Sequence, residues 1–98
     1  MKVLTWNVRG LRDRSRRGSL LRYLREWEID CAILQETHID CESDRAWVEM
    51  RAGLANDLVV INSNGRSGGI AIWWKKQLLC LEEVSVARHL LTCRFKRG

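Results

Sequence analysis

The sequence predicts an α/β fold that opens with a β-α-β unit and continues as a mostly antiparallel meander. Three observations carry this. Two short apolar runs, at residues 2–8 and 30–36, flank a stretch whose apolar residues recur at helical spacing. The second run has an almost continuous apolar centre, Cys31-Ala32-Ile33-Leu34, as expected for a strand covered on both faces. From residue 57 onward, short alternating segments are separated by turn residues such as Asn64-Gly65.

The elements follow in order. Residues 2–8, with Val3, Leu4, Trp6 and Val8, read as a strand that Arg9-Gly10 breaks. Residues 15–28 read as a helix of about four turns, with Leu20, Leu24 and Trp27 on one stripe, Leu21 and Tyr23 beside it and arginines opposite. Ser15 or Ser19 is the expected cap, and Gly18 weakens the first turn. Residues 30–36 form the second strand, and the crossover between two such parallel strands is right-handed. Residues 43–54 hold a weaker amphipathic helix, with Ser43 as cap and Trp47, Met50 and Leu54 on one side. Residues 57–63 and 67–74 pair about the Asn64-Gly65 turn, and residues 79–86 and 89–95 form another antiparallel pair. In the last of these Leu91, Cys93 and Phe95 alternate with polar residues. The expected architecture is a mixed sheet with helices on one face.

An apolar content of 46% with 30% charged residues reads as globular and not disordered, and the absence of proline argues against a Pro-rich linker or tail. No apolar run reaches the ~18–20 residues that span a bilayer, so no membrane partner is expected. The opening residues turn polar too soon for a signal peptide. Cys31, Cys41, Cys80 and Cys93 lack C-x-x-C spacing, which argues against a zinc ribbon. They are expected as reduced thiols of a cytoplasmic or nuclear protein.

The net charge of +5 hides an asymmetry. Residues 9–25 hold seven arginines and one acid, while residues 26–57 hold nine acids against Arg45 and Arg51. The basic stretch can follow a polyanion backbone, or it can be the solvated face of a helix. The acidic middle attracts a cation.

Parallel strands bring Asn7 and Glu36 to the same sheet edge, where α/β sheets place ligands. A carboxylate at the end of a buried strand is costly unless solvated, paired or metal-bound. Magnesium takes one or two carboxylates plus waters and phosphate oxygens, so Glu36 suffices on the protein side. The alternative is an ordinary strand-end Glu facing water. Asn7 can bind a phosphate oxygen or orient a site group, or it can turn its side chain onto the local backbone. His38 and Asp40 would share a face with Glu36 if the strand continued. The more natural reading has the chain in a loop by Thr37, with His38 structural or exposed. His89 has no visible partner. Residues 65–69, Gly-Arg-Ser-Gly-Gly, lack the lysine and following helix of a P-loop and read as a hairpin turn. The five tryptophans stack on nucleobases only if exposed, and periodicity puts most of them in the core. Trp73 and Trp74 face opposite sides of one strand.

The segments Trp6-Asn7-Val8-Arg9-Gly10-Leu11, Leu34-Gln35-Glu36-Thr37-His38 and Ser67-Gly68-Gly69-Ile70-Ala71-Ile72, with the helix between the first two, resemble the opening of the endonuclease/exonuclease/phosphatase (DNase I-like) superfamily. Within it they are most similar to the endonuclease domain of plant-like non-LTR (LINE) retrotransposons. The resemblance implies that residues 1–98 are a single incomplete domain, the N-terminal half of a four-layered α/β sandwich of two packed sheets. It implies an Mg2+-dependent phosphodiesterase, with Mn2+ as an alternative ion, acting on DNA. Glu36 would hold the metal and Asn7 would orient phosphate and metal-site groups. Arg9, Arg12 and His38 would contact phosphate, although Arg9 stands where related DNA-repair endonucleases carry an acid. The implied partners are DNA and either the missing C-terminal half or a reverse transcriptase domain.

In that family an Asp acts as base and a His is held by a second Asp, in Asp-x-Asn and Asp-His segments that these 98 residues do not contain. The expectation is therefore negligible hydrolysis by this chain alone. The alternatives are a non-catalytic module binding nucleic acid through residues 9–25, an inert remnant, and a hydrolase of small phosphate esters. A sandwich cut in half is also expected to leave the inner face of its sheet open to water.

Overall fold

The computed structural model describes residues 1–52, 56–65, 67–87 and 89–98. Among these residues six strands and two helices follow one another as β1 (Val3–Asn7), α1 (Arg14–Glu26), β2 (Cys31–Gln35), α2 (Arg45–Arg51), β3 (Asn56–Ile61), β4 (Ile70–Lys75), β5 (Leu79–Ala87) and β6 (Leu90–Arg97). Strands β1 to β4 form one sheet in the order β1-β2-β4-β3, and β5 and β6 form a separate two-stranded ribbon. β1 and β2 run parallel, with Asn7 opposite Gln35, while β4 is antiparallel to both β2 and β3. This is the mixed α/β architecture read from the sequence.

Both helices cover one face of the sheet. Leu20 and Leu24 of α1 and Ala46, Trp47 and Met50 of α2 pack with Ala32, Leu34, Leu58, Ala71 and Trp73. Burying a leucine such as Leu24 or Leu34 stabilises by roughly 2 kcal/mol. The other face meets the ribbon: Cys31, Ile72 and Trp74 pack on Leu79, with Leu81, Leu91, Cys93 and Phe95 partly buried against them. Trp74 and Phe95 meet edge-on at 5.0 Å. The expectation of an uncovered inner face is thus corrected, because the alternation in β6 supplies an apolar cover. Trp73 and Trp74 are both buried, one in each layer.

Several boundaries move. Asp13, not Ser15 or Ser19, caps α1, its carboxylate accepting from the Ser15 N–H at 2.8 Å. Asp44, not Ser43, caps α2 by accepting from Ala46 N–H. At each helix a nearby carboxylate, two residues before Ser15 and one after Ser43, offers the same acceptor with added charge at the helix N-terminus. β4 starts at Ile70 and not at residue 67, because Gly68 and Gly69 adopt positive φ and leave the extended conformation. The hairpin turn stands: Asn64 and Ser67 pair as an antiparallel bridge. Leu54 and Arg66, read above as part of the second helix and of the turn, lie outside the described residues.

Two helix expectations fail. Trp27 is not on the buried stripe but at the helix C-cap, 55% exposed. Arg17, expected on the solvated face, is buried. Its guanidinium donates to Glu49 Oε2 at 3.0 Å and to the carbonyls of Leu11 and Arg12. That fork gives two loop carbonyls a donor, and the hydrogen bond from Arg17 is the chief cause that lowers the Glu49 pKa.

Candidate functional site

The floor of the candidate site is fixed by strand register. Asn7, Gln35, Ile70 and Ile61 are successive cross-strand partners and form one row across the sheet. Side chains alternate along a strand, and Leu34 and Ala71 beside this row belong to the helix-side core. The row therefore faces the ribbon side. It floors a cleft of about 680 Å3, walled by Glu36, Gly68, Gly69, the Asn62–Asn64 segment and His89.

Beyond the ends of β1 and β2 the two chains stay bonded. Val8 N–H donates to Gln35 O, Gly10 N–H to Glu36 O at 2.7 Å, and Leu11 N–H to Thr37 O. On the other side Thr37 N–H donates to Gly69 O and His38 N–H to Gly68 O. The turn carrying Glu36 is thus clamped between two glycine-containing segments, one after β1 and one before β4. Clamping permits the left-handed conformation of Arg9, Glu36 and His38, with φ of 52°, 59° and 60°. Glu36 is not the last strand residue but the first residue of this turn, and its side chain is 44% exposed at the cleft wall.

Two glycines are required by these contacts. At Gly69, with φ of +93°, a Cβ would collide with Thr37 Oγ1. Thr37 is fully buried, and its hydroxyl has no hydrogen-bond partner among the described residues. At Gly10, with φ of +101°, a Cβ would lie 3.1 Å from His38 Nδ1.

His38 comes to Glu36 without a continuing strand. Its Nε2 lies 2.9 Å from Glu36 Oε2, so an Nε2–H donates to the carboxylate and leaves Oε1 free. Asp40 does not join them; it pairs with Arg12 at 3.5 Å. Arg12 also donates through Nε to His38 O at 2.7 Å, which makes it a brace for the loop after Glu36. Asn7 Oδ1 accepts from the Arg9 N–H at 3.2 Å, the local turn that asparagine commonly makes. Asn7 still lines the cleft beside Glu36. Arg9 is exposed, and its carbonyl accepts from Arg16.

The donor set suits a hard cation. Among the described residues Glu36 is the single carboxylate lining the cleft, beside the amides of Asn7, Gln35, Asn62 and Asn64. Among the described residues no cluster of three or more His, Cys, Asp or Glu occurs. One carboxylate among several amides is a donor set of the kind magnesium takes, since that ion keeps several waters and needs few protein oxygens.

Residues 4–93 match the family described as Endonuclease/Exonuclease/phosphatase family. The chain belongs to this family. A stretch of 39 residues is 49% identical to an exodeoxyribonuclease of Bacillus subtilis (strain 168). That stretch is 40% of this chain and spans 16% of the relative's length. Sequence reasoning gave no role to His89, which the β5–β6 turn brings to the cleft wall. Nor did it identify the Asn62–Asn64 wall, for which the nearby Asn64-Gly65 turn was the available signal.

Proposed function

We propose that this chain carries the metal-and-phosphate half of an Mg2+-dependent phosphodiester-cleaving site, of the type found in LINE retrotransposon endonucleases, with DNA as substrate. The observation that supports it best is the exposed Glu36 carboxylate, held by His38 and set beside Asn7 on adjacent parallel strand ends. The retrotransposon assignment rests on the wording of the Asn7 and Glu36 segments.

In this reading Glu36 Oε1 receives Mg2+ or Mn2+, and His38 fixes the rotation of the carboxylate through Oε2. Asn7 keeps its NH2 for a phosphate oxygen while its carbonyl is tied to Arg9. The exposed Arg9 offers a further phosphate contact, and Arg12 holds the loop in place. The bound cation supplies stabilisation of charge developing on the phosphoryl oxygens. The domain assignment belongs to the same proposal: residues 1–98 form one part of a two-sheet domain whose base and histidine come from elsewhere. Alone, the chain binds but does not cut.

Retention of a DNA duplex on a filter, with Mg2+ or with EDTA, tests this alongside nicking of supercoiled plasmid. The expected result is retention strengthened by Mg2+ in the parent chain but not in Glu36→Gln, with no nicking by either. Retention indifferent to Mg2+ contradicts the metal role. Nicking by the pure chain that Glu36→Ala abolishes contradicts the half-site.

A second reading is favoured by the charge distribution: Arg9, Arg14, Arg22 and Arg25 are exposed within residues 9–25. In that reading binding is electrostatic and persists without metal. A steep loss of retention with added salt, equal in Glu36→Gln and parent, identifies it.

A further inference from the structure

Three aromatic residues outside the cleft form a continuous row. The Trp6 and Tyr23 ring centroids are 5.4 Å apart, and Tyr23 and Trp27 stack at 5.6 Å with an interplanar angle of 24°. Trp6 is 39% exposed and Trp27 is 55% exposed. The row crosses from the helix side of edge strand β1, along α1, to the C-cap of that helix. Trp6 alternates with Asn7 on β1, so the row and the Glu36 cleft occupy opposite faces of the sheet.

We infer that this row is a stacking platform for the unpaired bases of a single-stranded nucleic acid. At 5.4–5.6 Å the rings touch one another and leave no space for a base between them. Their solvent-facing surfaces remain, and base–aromatic stacking on such surfaces is tolerant of sequence. The Trp6 end is cationic: a groove of about 460 Å3 beside Trp6 is lined by Arg9, Arg16 and Ser19. At the far end Lys2 Nζ donates to the Trp27 carbonyl at 3.1 Å, between the exposed Glu26 and Glu28. Aromatic faces that lead into a cationic groove match a strand whose bases stack while its phosphates reach the arginines. A duplex hides its base faces, and a second copy of the chain would bring like charges together. The platform shares Arg9 with the proposed site but uses neither Glu36 nor the cation, and its test stands or falls separately from theirs.

Anisotropy of a labelled short oligothymidylate, compared with an abasic oligomer of the same length, tests the platform without any substitution. The expected result is binding about tenfold tighter for the oligomer that carries bases. Equal affinity for the two overturns the platform, as does tighter binding of a duplex. Trp27→Ala is expected to erase the preference while the melting temperature holds, and Trp27→Phe to keep most of it. Unchanged preference in a folded Trp27→Ala contradicts the inference. Concentration-dependent self-association that Trp27→Ala abolishes, without oligomer binding, contradicts it too.

Discussion

At the scale of single residues, the cleft depends on backbone conformations that side chains disfavour. Glu36 and His38 hold left-handed φ in a turn bonded from both sides: Gly10 N–H donates to Glu36 O, Thr37 N–H to Gly69 O and His38 N–H to Gly68 O. Gly69 is the tightest of these points, with positive φ and Thr37 Oγ1 where a Cβ would go. Gly69→Ala is therefore expected to lower unfolding free energy by about 2 kcal/mol or more, read from urea melts. A neutral substitution would show that the Glu36 turn is not held this way. The polar residues of the site were legible as residue types at strand ends. Their arrangement was not, since the Glu36–His38 contact arises from two positive φ angles that no periodicity announces. Arg17 was misread for a related reason: a helical wheel ranks arginine as solvent-facing, whereas loop carbonyls and Glu49 draw this one inward.

At the scale of elements, the β1-α1-β2 unit was plain in the apolar spacing, and so was the parallel alignment that places Asn7 beside Glu36. Cap positions and most strand ends shifted, because Asp13 and Asp44 compete with nearby serines and two glycines shorten β4. The unit is closed at its base by Asp30. Its carboxylate accepts from the Lys2 N–H at 2.8 Å and faces the Lys75 ammonium at 3.5 Å. The Lys2 backbone bond foremost, with Lys75 adding and partial burial opposing, holds the Asp30 pKa below its ordinary 3.8. A carboxyl with a lowered folded pKa contributes stability above its unfolded pKa and loses it as pH falls through the folded value. Asp30→Asn should thus be less stable than the parent at neutral pH, and the gap should close below pH 3.8. Chemical denaturation across that range checks this; a gap independent of pH contradicts the pairing. Cys31, between the layers, has its thiol pKa raised, chiefly by burial and then by Cys93 and Asp30.

At the scale of the whole molecule, the ribbon of β5 and β6 gives the sheet a second apolar partner, and the radius of gyration is 12.6 Å, close to the ~13 Å of a compact domain of this length. The cover is partial: Val3, Val84 and Val86 are 55%, 45% and 62% exposed. No helix among the described residues is long and apolar enough to cross a membrane. The mixed sheet with helices on one face followed from element order. The ribbon's packing across the sheet did not, because alternation in β6 shows that one face is apolar but not what it meets. The central claim is that Glu36, set beside Asn7, receives a divalent cation. Mn2+-induced broadening of backbone amide resonances tests it most directly. The account predicts broadening centred on Asn7, Gln35, Glu36 and Gly69 that vanishes in a folded Glu36→Gln chain; broadening centred elsewhere, or unchanged by that substitution, would contradict it.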